Sequence, residues 1–229
     1  MNLDNEDLSH SRFRSVEHNN QPSLRLYKPW FDEMYQSLLT ELKAKANVTE
    51  ITEKAAASAL FSSDHKPVVL AADAGLARKE SSELVTKAIQ FVKDGGTLVF
   101  GLQFPSFATP PEIKHLFKAF GIPWESGDYH LTTFDVNTAI KTVKTAGLVR
   151  GYSQKALHLS NVEEYEAVYL PMSRSRIQSM VFYPSRVEDL TQTPAAFRDY
   201  GKGKLGYLGD VNAEVETNKV VLAMCGLLD

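Results

Sequence analysis

Val68-Val69-Leu70-Ala71-Ala72-Asp73-Ala74-Gly75, directly after Pro67, is the stretch that decides the fold. Five consecutive apolar residues with no polar alternation describe a strand buried on both faces, as in a parallel sheet covered by helices on each side. Thr97-Leu98-Val99-Phe100 repeats the pattern. Between the two runs, Glu83, Leu84, Val85, Ala88, Ile89 and Val92 trace an amphipathic helix that stops at Gly95-Gly96, where a left-handed C-cap favours residues without a Cβ. Beyond them, Thr109-Pro110-Pro111-Glu112 is a capping box with proline at the first helical position. Ile113, Leu116, Phe117 and Phe120 continue it at helical spacing as far as Gly121. The two apolar runs are expected to be adjacent, parallel and central.

Upstream, Leu24 and Leu26 alternate with Arg25 and Tyr27, which predicts a short strand closed by Pro29. Phe31, Met34, Tyr35, Leu38, Leu39 and Leu42 predict a helix, residues 48–51 a short apolar stretch and residues 53–60 an Ala-rich helix. Residues 1–22 mix charges with scattered apolar side chains and no period, so they are expected to be a disordered tail, with one domain over residues 23–229. Downstream, strand signals fall at residues 129–134, 156–159, 168–170, 179–183 and 204–208. Part of this half is expected to form an antiparallel extension and part to return to the main sheet. Residues 220–228 are apolar nearly all round and predict a buried terminal helix. The expected fold is a three-layer α/β/α, doubly wound, mostly parallel sheet with an antiparallel extension in the second half.

The composition narrows the function. The chain has 229 residues, 43% of them hydrophobic and 23% charged, which is ordinary globular composition. A net charge of −3, from 25 basic and 28 acidic side chains, gives no footprint for nucleic acid. A single cysteine, Cys225, forms no intrachain disulfide and no cysteine-based zinc cluster. No apolar run approaches the ~20 residues of a membrane span, and residues 1–20 carry charges where a signal peptide needs an apolar stretch. A cytoplasmic protein follows, with nuclear residence also open, and neither membrane nor nucleic acid is expected as a partner.

Open parallel sheets bind ligands beyond the carboxyl ends of their strands, so the junctions there carry the candidate site. They are Asp73-Ala74-Gly75, Gly101-Leu102-Gln103-Phe104-Pro105-Ser106 and Gly209-Asp210-Val211-Asn212-Ala213-Glu214. The strand, DAG loop, helix ending in GGT, second strand and tight G-x-x-x-P turn together resemble the class I glutamine-amidotransferase-like domain. That family includes non-catalytic relatives such as the trimerisation modules of some β-galactosidases and domains of filamentous-fungal proteins. FVKDGGTLVFG at residues 91–101 and GKGKLGYLGDVNAE at residues 201–214 carry the resemblance. It implies a flavodoxin-like fold with a cysteine nucleophile on the turn after the second apolar run and a His-x-Glu pair after the last strand. Here the nucleophile's place holds Leu102 and Gln103, and the pair reads Asn212 and Glu214. Glutamine hydrolysis by the family mechanism is therefore not expected.

Other signals have plainer explanations. Gly201-x-Gly203-x-x-Gly206 precedes a strand and offers no helix N-terminus to a pyrophosphate. Asp210, Asn212 and Glu214 echo a calcium loop but lack its glycine and its distal glutamate, so Asp210 and Asn212 are expected to brace a turn and Thr217 to cap the last helix. His130, close to Asp128, is either an acid-base group or a solvated strand residue, and Arg174 with Arg176 either holds an anion or faces solvent. Ser106 has no histidine beside it in sequence. The ligand-binding candidates are Asp73, Gly75, Gln103, Phe104, Ser106, His130, Asp210, Asn212 and Glu214, with no cofactor and no metal expected. The expected function is a non-catalytic module that binds a small molecule or a protein. The alternatives are a hydrolase using Glu214, Asp210 and His130, or a structural homo-oligomerisation domain.

Overall fold

A computed structural model describes residues 13–17 and 29–228 of the chain, with side chains from residue 31 onward. Its first half contains β1 (Phe13–Glu17), α1 (Pro29–Met34), α2 (Gln36–Lys45), β2 (Asn47–Ile51), α3 (Lys54–Ser62), β3 (Val68–Ala71), α4 (Ser82–Lys93), β4 (Thr97–Phe100), α5 (Phe104–Phe107) and α6 (Pro110–Ala119). The second half contains β5 (Glu125–Val136), β6 (Gly151–Ser160), β7 (Tyr169–Pro171), β8 (Arg176–Ile177), β9 (Ser185–Arg186), β10 (Ala195–Tyr200), β11 (Gly203–Leu208) and α7 (Thr217–Met224).

The main sheet has the order β10-β11-β4-β3-β1-β2. β3 and β4 are parallel neighbours in the register Val68↔Thr97 to Ala71↔Phe100, and β11 lies parallel to β4 on its other side. The two apolar runs are thus adjacent and central. Alternate residues feed two cores. Val69, Ala71, Leu98, Phe100, Leu205 and Tyr207 pack with α3, α4 and α6 on one face, whereas Leu70, Val99 and Leu208 pack with α2 and α7 on the other. This is the three-layer α/β/α arrangement. The capping box forms as its sequence dictates, with the Thr109 backbone N–H donating to the Glu112 carboxylate at 2.9 Å. The turn after it is left-handed at Gly121, where φ is +70°.

Two expectations need correction. Phe13–Glu17 falls in the expected tail but forms β1, antiparallel to both β2 and β3 and wedged between them. Five residues of local composition do not reveal a ladder supplied on both sides by partners far along the chain. The strand expected at residues 24–27 lies outside the described residues. Residues 179–183 are no strand but the exposed tip of the β8–β9 hairpin. Their apolar content reads as burial, and the structure instead leaves them in solvent. β10, which the sequence did not signal, pairs antiparallel with β11 and closes that edge of the sheet. The antiparallel extension is the sheet β6-β5-β7.

Candidate functional site at the carboxyl rim

The extension folds back over the carboxyl ends of β4 and β11. β6 packs on α5 and pairs antiparallel with the chain leaving β11, through the bridge Ala156↔Asp210. The Leu157 N–H donates to the Gly209 carbonyl at 2.9 Å, and the Val211 N–H donates to the Lys155 carbonyl at 3.1 Å. The approach is close enough to require glycine at position 209, since a Cβ there would lie 2.0 Å from the Leu157 carbonyl oxygen.

The face of β5–β6 turned to the rim carries His130, Thr132 and Phe134 opposite Ala156, Gln154 and Tyr152, with His158 next along. Its polar members are unusual for an inward strand face. The Gln154 amide Nε2 donates to the Thr217 hydroxyl at 2.8 Å and to the Tyr152 hydroxyl at 3.2 Å. Thr217 therefore does not cap α7, whose first turn lacks a side-chain cap, because its hydroxyl is engaged by the hairpin. His158 Nδ1 lies 2.7 Å from the Asp128 carbonyl oxygen, which only accepts, so Nδ1 carries the hydrogen and Nε2 the lone pair. The ring stacks on His130 at 4.4 Å and on Phe134 at 5.2 Å. Burial, then the neighbouring His130, pushes the His158 pKa down to about 4, and burial also lowers that of His130. Both imidazoles are neutral at pH 7.

Across the hairpin, Asp210 is buried and acts as a staple. One oxygen accepts from the N–H groups of Asn212 and Ala213 at 2.8 and 2.9 Å, the other from that of Glu214 at 3.0 Å. Glu214 Oε1 accepts from the Lys155 N–H at 3.1 Å. Burial and the neighbouring Asp210 push the Glu214 pKa up to about 8. Glu214 Oε2 is itself buried without a hydrogen-bond partner within the protein. Asp210, Glu214 and Thr217 line a cavity of about 20 Å³ with Tyr35, Leu38 and Leu102, room for about one water molecule. Two residues of this lining are left-handed without being glycine, Leu102 at φ 59° and Ala213 at φ 56°. Such conformations cost about 1–3 kcal/mol each and cluster at functional sites.

The expected residues divide. Glu214 and Asp210 meet Leu102, the first residue of the turn after β4, although more than a hundred positions separate them. His130 is not brought to them: it pairs with Ala156, which in turn bridges to Asp210, and it does not line the cavity. Gln103 is buried, with its Nε2 lacking a partner. Phe104 belongs to the core, in ring contact with Phe100 and Tyr207, and Ser106 and Asn212 face solvent. Asp73 accepts from the Gly75 N–H at 2.8 Å and caps a short 3₁₀ turn; neither lines the cavity. Cys225 lines a groove at the opposite end of the sheet, beside Val68 and Thr97, and burial pushes its thiol up to about 12. Among the described residues, no group of three or more His, Cys, Asp or Glu is placed to hold a metal, and no helix is long and apolar enough to cross a membrane. Gln154 and His158 were missed from sequence. Their alternation with Tyr152 and Ala156 was the available signal, because it sets two polar residues on an otherwise buried parity.

No protein-family model matches the chain, and no curated protein matches it either.

Proposed function

We propose that the chain is a non-catalytic module, similar to class I amidotransferase-like domains, that binds a small polar molecule at the carboxyl rim. One observation carries this. Four buried polar atoms of the elbow and hairpin, Gln103 Nε2, His130 Nε2, Gln154 Oε1 and His158 Nε2, have no hydrogen-bond partner within the protein. Leaving such a group unpaired costs about 1–3 kcal/mol, so a ligand or ordered water that supplies the missing partners is favoured there. The set suits a molecule that offers both donors and acceptors: an amide N–H₂ donates, while Gln154 Oε1 and the His158 Nε2 lone pair accept. None of the four residues lines the cavity of about 20 Å³ beside Asp210 and Glu214, so a molecule that pairs with them has to displace the β5–β6 hairpin.

The elbow after β4 speaks against nucleophilic catalysis, since its left-handed position carries Leu102, without a nucleophilic atom. The hydrolase alternative draws on the raised pKa of Glu214 beside Asp210, a perturbation that general acid groups also show. Asp210 is committed to three backbone N–H groups, which favours bracing over chemistry.

Native mass spectrometry of untagged protein tests the proposal. The expected result is a retained small mass in the wild type that His158→Phe and Gln154→Leu both lose while keeping their far-ultraviolet dichroism. Wild type at its bare sequence mass, with both variants more stable than the parent, would make these atoms hydration sites only. Turnover of glutamine or of p-nitrophenyl esters that Glu214→Gln abolishes would favour the hydrolase. A discrete oligomer without any bound mass would favour the structural role.

A further inference from the structure

We infer that the β8–β9 hairpin is a docking finger for an anionic lipid surface. At its tip, Met180, Val181, Phe182 and Tyr183 are each 75% or more exposed. Four consecutive large apolar side chains in water are abnormal, and the described residues show no other such run at the surface. The residues on either side share a second property. Residues 173–186 contain Arg174, Arg176 and Arg186 and no Asp or Glu, in a chain whose net charge is −3. Arg174 is paired with Asp135 at 2.7 Å. Arg176 and Arg186 stand directly opposite each other across the hairpin, and among the described residues neither has a carboxylate partner. Like charges in directly opposed positions repel, so an anion brought to this pair relieves a standing repulsion.

The arrangement selects the occupant. A shaped protein pocket takes the side chains of one face, whereas four successive residues around a bend point in several directions, and a fluid acyl phase accommodates all of them at once. Phe and Tyr suit the headgroup boundary, and guanidinium groups suit phosphate oxygens. A second copy of the chain is disfavoured, because a two-fold contact at this finger would bring two more arginines without a carboxylate partner to the same place. This is peripheral contact, distinct from a membrane span, and it is independent of the rim site.

Co-sedimentation of the full chain with vesicles tests it, comparing vesicles containing phosphatidylserine with pure phosphatidylcholine. The wild type is expected to prefer the anionic vesicles, with binding that weakens as salt rises. The double variant Val181→Ser/Phe182→Ser is expected to bind roughly tenfold more weakly, and Arg176→Gln/Arg186→Gln to lose the preference for phosphatidylserine. The positions of the first pair are solvent-exposed, so both proteins are expected to melt together. Failure of the wild type to bind anionic vesicles overturns the inference, as does binding that survives both double variants. A wild-type dimer that the tip variant dissociates, without vesicle binding, would assign the finger to a second copy instead.

Discussion

The two hairpins of the second half invert the usual distribution of polarity in opposite directions. β5–β6 turns His130, Thr132, Gln154 and His158 toward the protein interior, while β8–β9 holds Met180, Val181, Phe182 and Tyr183 in water. The first is held by backbone pairing to the chain after β11 and by side chains that reach α7. The second is tied to the extension at its base, by the Leu131↔Gln178 bridge, by the Thr132 hydroxyl donating to the Arg176 carbonyl at 2.8 Å and by the Arg174–Asp135 pair, while its tip stands clear. The contrast separates two sources of misfit with the hydrophobic rule. Polar groups are inside with only part of their atoms paired within the protein, and apolar groups are outside with no cover among the described residues.

The sharpest way to break this contrast is to truncate one phenylalanine from each hairpin. Phe134 is fully buried against His158, and Phe134→Ala is expected to lower the unfolding free energy by about 3–5 kcal/mol in urea denaturation. If it shifts the midpoint no more than a surface change, the hairpin is not docked as described. Next in size, Gly209→Ala forces the Leu157 carbonyl away from the rim, an expected loss of about 3 kcal/mol by the same measurement.

The titrating groups give a prediction with a sign at each end of the pH scale. His158 has a depressed pKa, so the unfolded chain binds more protons between about pH 4 and 6.5 and stability falls on acidification. Glu214 has a raised pKa, so the folded chain holds more protons between about pH 4.5 and 8, and the stability this proton confers is lost as pH rises through about 8. The opposing slopes cancel over roughly pH 4.5–6.5, and melting temperature is expected to decline on both sides of that plateau. His158→Phe should flatten the acid limb and Glu214→Gln the alkaline one. Because glutamine retains the acceptor for the Lys155 N–H, Glu214→Gln should cost on the order of 1 kcal/mol or less at pH 5. A slope unchanged in either variant would assign the effect to other groups. The smallest expected effect is at the finger, where Phe182→Ala should change stability by less than about 0.5 kcal/mol.

Legibility in the sequence followed where the controlling interactions lie. β3 and β4 were readable because burial on both faces removes polar alternation within a few residues. α6 was readable because Thr109, Glu112 and Gly121 act on their own neighbourhood. Asp210 and Glu214 reach the turn after β4, as parallel neighbours that expose their carboxyl ends on one rim require, but at Leu102 rather than along residues 103–106 where topology led us to expect them, and without Asn212. Chemistry at longer range was not readable. Thr217 looked like a cap until Gln154 engaged its hydroxyl, and Phe104 looked like a rim residue until Phe100 and Tyr207 enclosed it. Residues 179–183 have the composition of a buried strand, and nothing local in them encodes that no partner arrives.

The place of β1 bears on how the chain can be shortened. It satisfies backbone groups of β3 on one side and of β2 on the other, so it is an interior member of the sheet contributed by the first residues of the chain. Cutting at the compositional boundary near Ser23 would split the sheet, leaving β3 with an open apolar edge and β2 with no neighbour. Such edges pair with edges of other molecules. Proteolytic trimming at that boundary is therefore expected to open new self-templating edges in the middle of the sheet, and the residues that look most dispensable are expected to restrain aggregation.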